Sequence, residues 1–121
     1  MKVAVTSSGA NLDSEVDPRF GRCKYIVIVD AATMEFEAIE NSAGAGSGGA
    51  GIATGQLVAS KGVQAVLTGN CGPNAYQVLS SAGVQVFTGV AGKVRDAVQS
   101  FKAGHYKATD QPNVASHSGQ S

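Results

Sequence analysis

At 121 residues the chain has room for one domain, and with 43% hydrophobic residues, no tryptophan and four phenylalanines its core is built mainly of Val, Ala, Leu and Ile. Nine basic and nine acidic side chains cancel, which argues against the strong positive field of a nucleic-acid or anionic-membrane binder. No apolar run approaches the roughly 20 residues of a membrane span, and the amino terminus reads as a core strand, so a cytoplasmic protein with two thiols is expected.

Lys2-Val-Ala-Val-Thr6 reads as a short strand whose β-branched residues suit a covered, central position. Residues 7–23 form a long connection without steady period; Pro18 forbids a helix through its centre, and Leu12 and Phe20 are expected to pin it down. Lys24–Asp30 is the clearest strand. Residues 34–40 alternate, with Met34, Phe36 and Ala38 opposite Glu35, Glu37 and Ile39, as in an edge strand hairpinned to its predecessor. Residues 41–51 hold five glycines and read as the most flexible segment. A helix is expected from about Gly51 to Ser60, with Gly55 either weakening it or admitting a close neighbour.

The next stretch organises the rest. Val63–Leu67 is a short apolar strand, Thr68–Gly72 is turn material around Cys71, and Pro73 suits the first position of a helix running to Ala82. Such a unit presents its loop, and the first amides of its helix, at the carboxyl end of a strand, where open α/β sheets bind ligands. Gly62-Val-Gln-Ala-Val-Leu-Thr-Gly69 is echoed by Gly83-Val-Gln-Val-Phe-Thr-Gly89, and a second helix follows, from Gly92 to Ala103, with Val94, Ala97, Val98 and Phe101 on one face. Crossover helices imply parallel strands. The order β-β-β-α-β-α-β-α therefore predicts an α/β fold with a mixed five-stranded sheet, order 3-2-1-4-5, strand two antiparallel, and three helices. Residues 1–106 form the expected domain and 107–121 a flexible tail.

In that topology Cys23 and Cys71, 48 residues apart, fall on one rim of the sheet. The glycine-rich run and Gly89–Gly92 reach the same rim, so thiols, glycine amides and up to three helix amino ends converge. That set suits something soft and anionic: thiolates favour copper, zinc or iron–sulfur centres, and amides hold negative charge. Arg19, Arg22 and Lys24 would favour thiolate and attract an anion. Blander readings stand beside this one. Either cysteine can be a small buried hydrophobe, and two cysteines fall short of a structural zinc shell, which His105 and His117 are too late in the chain to complete. Asp13, Glu15 and Asp17 can bind a hard cation or form a solvated acidic stretch. The matches to G-x-G-x-x-G at Gly44–Gly49 and Gly46–Gly51 are weak in so glycine-rich a run. No Ser/His/Asp set or paired acid and base stands out.

Asp17-Pro-Arg-Phe-Gly-Arg22 and Gly69-Asn-Cys-Gly-Pro-Asn-Ala75, with the opening Met1–Thr6 and the closing Gly89–Ala97, resemble the dinitrogenase iron–molybdenum cofactor biosynthesis family, over roughly residues 1 to 106. That family includes nitrogenase cofactor carrier proteins and the orange protein of sulfate reducers. The resemblance implies a ribonuclease-H-like α/β fold and a non-catalytic role: binding, carrying or helping to assemble a molybdenum- or iron-containing sulfide cluster, with cofactor-assembly proteins as partners. Carried onto this chain, it implies cluster contacts at Cys71, Gly69, Asn70, Gly72 and Asn74, to which the rim argument adds Gly49 from the glycine-rich run. Arg19 and Arg22 become the charge complement; Cys71, and Cys23 from its place on the same rim, are the candidate metal contacts. No nucleic acid or membrane is expected as partner, and the chain is expected to be a monomer or weak dimer. The alternative is a regulatory or scaffolding domain that acts through a protein partner without bound metal.

Overall fold

Val3 to Ser7 are buried on both sides of the chain, which fixes Lys2–Ser7 as the central strand, β1. The computed structural model describes residues 1–41 and 50–109. Among these, the elements that follow are β2 (Tyr25–Asp30), β3 (Phe36–Glu40), α1 (Ala50–Ser60), β4 (Ala65–Leu67), α2 (Pro73–Ser81), β5 (Gln85–Phe87) and α3 (Val94–Lys102). The sheet runs β3-β2-β1-β4-β5. β1 is antiparallel to β2 and parallel to β4, β2 is antiparallel to β3, and β4 is parallel to β5. This is the mixed five-stranded α/β arrangement expected from the sequence.

Each face of the sheet carries its own core. Val3, Val5, Val27, Val29, Leu67 and Phe87 pack with Val94, Ala97 and Val98 of α3. Phe101 of α3 closes edge-on against Phe87, with ring centroids 5.1 Å apart. On the opposite face Ile26, Ile28, Val66 and Val86 pack with Val58 of α1 and Leu79 of α2, and Phe20, Cys23 and Cys71 join them. α1 and α2 lie close because Gly55 presents no side chain: a Cβ there would come 3.1 Å from Val78 Cγ1. Gly55 thus admits a neighbour, the second of its two readings.

Three local features depart from expectation. The alternation predicts one wet face, yet Phe36 and Ala38 are exposed along with Glu35 and Glu37, because α3 packs over β1 and leaves the β3 end of its face uncovered. Ile39, the break in the alternation, packs against the other core instead. Met34 takes φ 66°, a left-handed turn conformation in which its amide donates to the Asp30 carbonyl. Thr109, inside the segment expected to leave the domain, bridges Val86 and donates its amide to the Val86 carbonyl at 2.7 Å, covering the β5 edge.

Candidate functional site

The long first connection is stitched along the carboxyl end of the parallel strands by its own backbone. Val16 pairs with Ser7, and the Asp17 amide donates to the Thr6 carbonyl at 2.9 Å. Further along, Arg19 bridges Asn70. The Asn70 amide donates to the Pro18 carbonyl at 2.7 Å, and the Phe20 amide donates to the Asn70 carbonyl at 3.3 Å. The arginine-bearing loop and the Cys71 loop are therefore one pleated surface, although 51 residues separate Arg19 from Asn70. Gly69 makes this approach possible, since a Cβ there would stand 2.7 Å from Pro18 Cα and 2.9 Å from Pro18 Cβ.

Under this surface lies a buried polar joint. The Thr6 hydroxyl donates to the Asp17 carbonyl at 2.7 Å and lies 2.9 Å from Thr68 Oγ1. Thr6 has one hydroxyl proton, so Thr68 supplies the donor between the two side chains. A second joint holds the turn at Cys23. Asn41 Nδ2 donates to the Cys23 carbonyl at 2.9 Å, and Thr54 of α1 meets Asn41 Oδ1 at 3.2 Å. Asn41, placed by sequence reasoning at the start of the flexible run, is 5% exposed and fixed. The only signal for it is a polar residue directly after a strand; for Thr54 there is none.

Both cysteines are thiols outside any disulfide, and both belong to the core beneath α1 and α2. Each is 1% exposed. Burial pushes the Cys71 thiol up to about 12. Burial first, then the Asp17 carboxylate, push Cys23 up to about 12 as well, against the opposing hydrogen bond from Asn41. The expectation that nearby arginines would favour thiolate is thereby corrected: desolvation outweighs them, and both groups are neutral donors at pH 7. Cys23 Sγ donates to the Phe20 carbonyl at 3.2 Å, and Cys71 Sγ to the Gly72 carbonyl at 3.7 Å.

Positive charge at the rim is unequal. The Arg19 guanidinium pairs with Asp17 at 3.3 Å, and that hydrogen bond and charge raise its pKa further. Arg22 is exposed and takes part in neither ion pair found among the described residues. Asp13 pairs with Arg95 at 3.3 Å, so two of the three loop acids are spent on arginines, and no group of three or more His, Cys, Asp or Glu side chains able to hold a metal ion occurs among the described residues. The helix ends differ too. The first amides of α3 are consumed: Val94 donates to the Ser14 carbonyl and Arg95 to the Leu12 carbonyl. α2 begins at Pro73 with Gly72 as its cap and no side-chain capping bond, and exposed Asn74 stands in its first turn at this rim. Gly49 and His117 lie outside the described residues.

Comparison with known proteins places this geometry in a family. The family model described as dinitrogenase iron-molybdenum cofactor matches residues 1–104, and the chain belongs to that family. The apo form of the orange protein from Desulfovibrio gigas is 44% identical, with a TM-score of 0.90 over 93% of this chain and 95% of that one. A NifB-like protein from Thermotoga is 36% identical, with a TM-score of 0.77 over 88% of this chain and 91% of that one. An uncharacterized protein of Methanocaldococcus jannaschii is 32% identical over 108 residues, 86% of this chain and 92% of its own length.

Proposed function

We propose that this protein binds and carries an anionic metal–sulfide cluster, of Fe–Mo–S or Mo–Cu–S type, at the rim where the 19–22 loop meets the 69–74 loop. The observation that carries the proposal is the backbone pairing of Arg19 with Asn70, which sets the arginine-bearing loop beside the Cys71 loop and the amino end of α2. Membership in a family described by the iron–molybdenum cofactor supports the cargo class.

The donor set favours holding over ligation. Each neutral thiol already gives its one proton to a backbone carbonyl, and a metal–thiolate bond would first require loss of that proton. In this proposal the 69–74 loop makes the first contact, with the Cys71 thiol, 1% exposed, directly beneath it and Cys23 behind as the anchor of the 20–23 turn. Gly69, Asn70, Gly72 and Asn74 supply the contact surface. The Asn70 amide already serves the Pro18 carbonyl, so this residue contributes through its exposed side chain. Arg22 supplies the main charge complement, and Arg19 a smaller one because Asp17 offsets it. The role is non-catalytic, exercised in the cytoplasm by a monomer or weak dimer that exchanges its cargo with cofactor-assembly proteins.

Anaerobic incubation with tetrathiomolybdate plus copper(I) or iron(II), followed by gel filtration, tests it. Metal and acid-labile sulfide should co-elute with the protein in fixed ratio, and Cys71→Ser should loosen them. Protein that emerges without metal under both conditions overturns the proposal.

A further inference from the structure

The two edges of the sheet are treated differently. The β5 edge is covered by the bridge from Thr109 to Val86, while the β3 edge carries nothing among the described residues. Its pairing register shows what it offers. The Asp30 amide donates to the Glu35 carbonyl and the Asn41 amide to the Lys24 carbonyl, so Glu35, Glu37, Ile39 and Asn41 turn their backbone groups toward β2. The amides and carbonyls of Phe36, Ala38 and Glu40 therefore point away from the sheet. These six groups form a strand-length row of donors and acceptors.

The side chains around that row divide by face. Phe36, Ala38 and Glu40 share one face, and Phe36 is 43% exposed, a large hydrophobe left bare where α3 does not reach. On the other face Glu35 and Glu37 adjoin a shallow hollow of about 180 Å³ lined by Lys2, Ile28, Asp30, Glu35, Phe36 and Glu37. Three of its six lining residues are acids and one is a base. Two copies meeting edge to edge would bring Glu35, Glu37 and Glu40 of both together, which opposes self-pairing.

We infer that the β3 edge is a docking strand for a protein partner, and that the partner segment is extended, alternating apolar residues with Lys or Arg. Added beside β3, such a segment pairs its backbone with Phe36, Ala38 and Glu40. Its apolar side chains then lie along Phe36 and Ala38, and its basic side chains lie beside Glu35 and Glu37 over the acidic hollow. The inference is independent of the cargo, since none of Glu35, Phe36, Glu37 and Ala38 belongs to the proposed cluster site.

A fluorescein-labelled peptide alternating lysine with valine, and its glutamate–valine counterpart, test this by anisotropy on the full chain. The lysine peptide should bind saturably, more weakly as salt rises, and the glutamate peptide should not bind. Ala38→Pro removes one outward amide that serves no bond among the described residues, and it should weaken binding about fivefold or more. Glu35→Lys combined with Glu37→Lys should abolish lysine-peptide binding; both glutamates are exposed, so this pair decides the matter if the proline variant fails to fold. Equal binding of the two peptides, no binding of either, or binding indifferent to the glutamate reversal overturns the inference. A concentration-dependent dimer in sedimentation, dissolved by Ala38→Pro, would also overturn it by assigning the edge to a second copy.

Discussion

Gly69 and Pro18 meet so closely that a Cβ on Gly69 would fall 2.7 Å from Pro18 Cα and 3.0 Å from the Pro18 carbonyl oxygen. The obstruction is backbone, which no side-chain rotation relieves. Gly69→Ala should therefore cost about 1–3 kcal/mol of stability in urea unfolding and raise the exchange rate of the Asn70 amide, which donates to that carbonyl. Gly51→Ala, whose Cβ would meet Ala75 at an ordinary 3.4 Å, is the control and should stay within about 0.5 kcal/mol of the parent.

Asn41 is the clamp on the Cys23 turn. Removing its amide leaves the Cys23 carbonyl without that donor and the Thr54 hydroxyl without that acceptor, both in buried surroundings. Asn41→Ala should cost about 1–3 kcal/mol, and Thr54→Val about 1 kcal/mol. Because the two share one bond, the double variant should cost less than the sum, which a denaturant double-mutant cycle measures.

Alkaline pH should unfold this protein through its thiols. Cys71 and Cys23 titrate at the ordinary value of 9.0 in the unfolded chain and are pushed up to about 12 in the fold. Between those values the unfolded state gives up protons that the folded state keeps, so stability falls as pH rises. The contribution is complete below pH 9.0 and is lost toward 12, at about 1.4 kcal/mol per pH unit per thiol. Urea midpoints measured across that range should drop steeply, and Cys71→Ala or Cys23→Ala should each remove about half the slope.

Charge at the rim should be carried mainly by Arg22. Arg22→Gln should weaken tetrathiomolybdate binding in equilibrium dialysis by about 1 kcal/mol, roughly fivefold, and reduce its salt dependence. Arg19→Gln should matter less for binding, since its charge is already paired with Asp17. Equal losses from the two variants would contradict this division.

Much of the fold could be read from residue pattern alone. Short β-branched runs gave the strands, Pro73 opened α2 as expected, and the Val94, Ala97, Val98, Phe101 stripe located the buried face of α3. The Gly69–Ala75 and Phe20–Arg22 motifs pointed to loops that the fold brings together. What stayed illegible depended on long-range contact. Nothing local says that Ser14 and Leu12 consume the first amides of α3, that Asp17 offsets Arg19, or that both thiols are sealed in the core. The alternation of residues 34–40 marked an edge strand, but which of its faces a helix would cover depends on where α3 docks.

Backbone amide shift mapping on the isotope-labelled protein, titrated anaerobically with tetrathiomolybdate and copper(I), tests where the cargo sits. Shifts concentrated at Arg19 to Cys23 and Gly69 to Ala75, and weakened by Arg22→Gln, are the expected result. Shifts confined to the β3 edge or to α3, or a spectrum that does not change, would contradict a cluster site at the junction of the two loops.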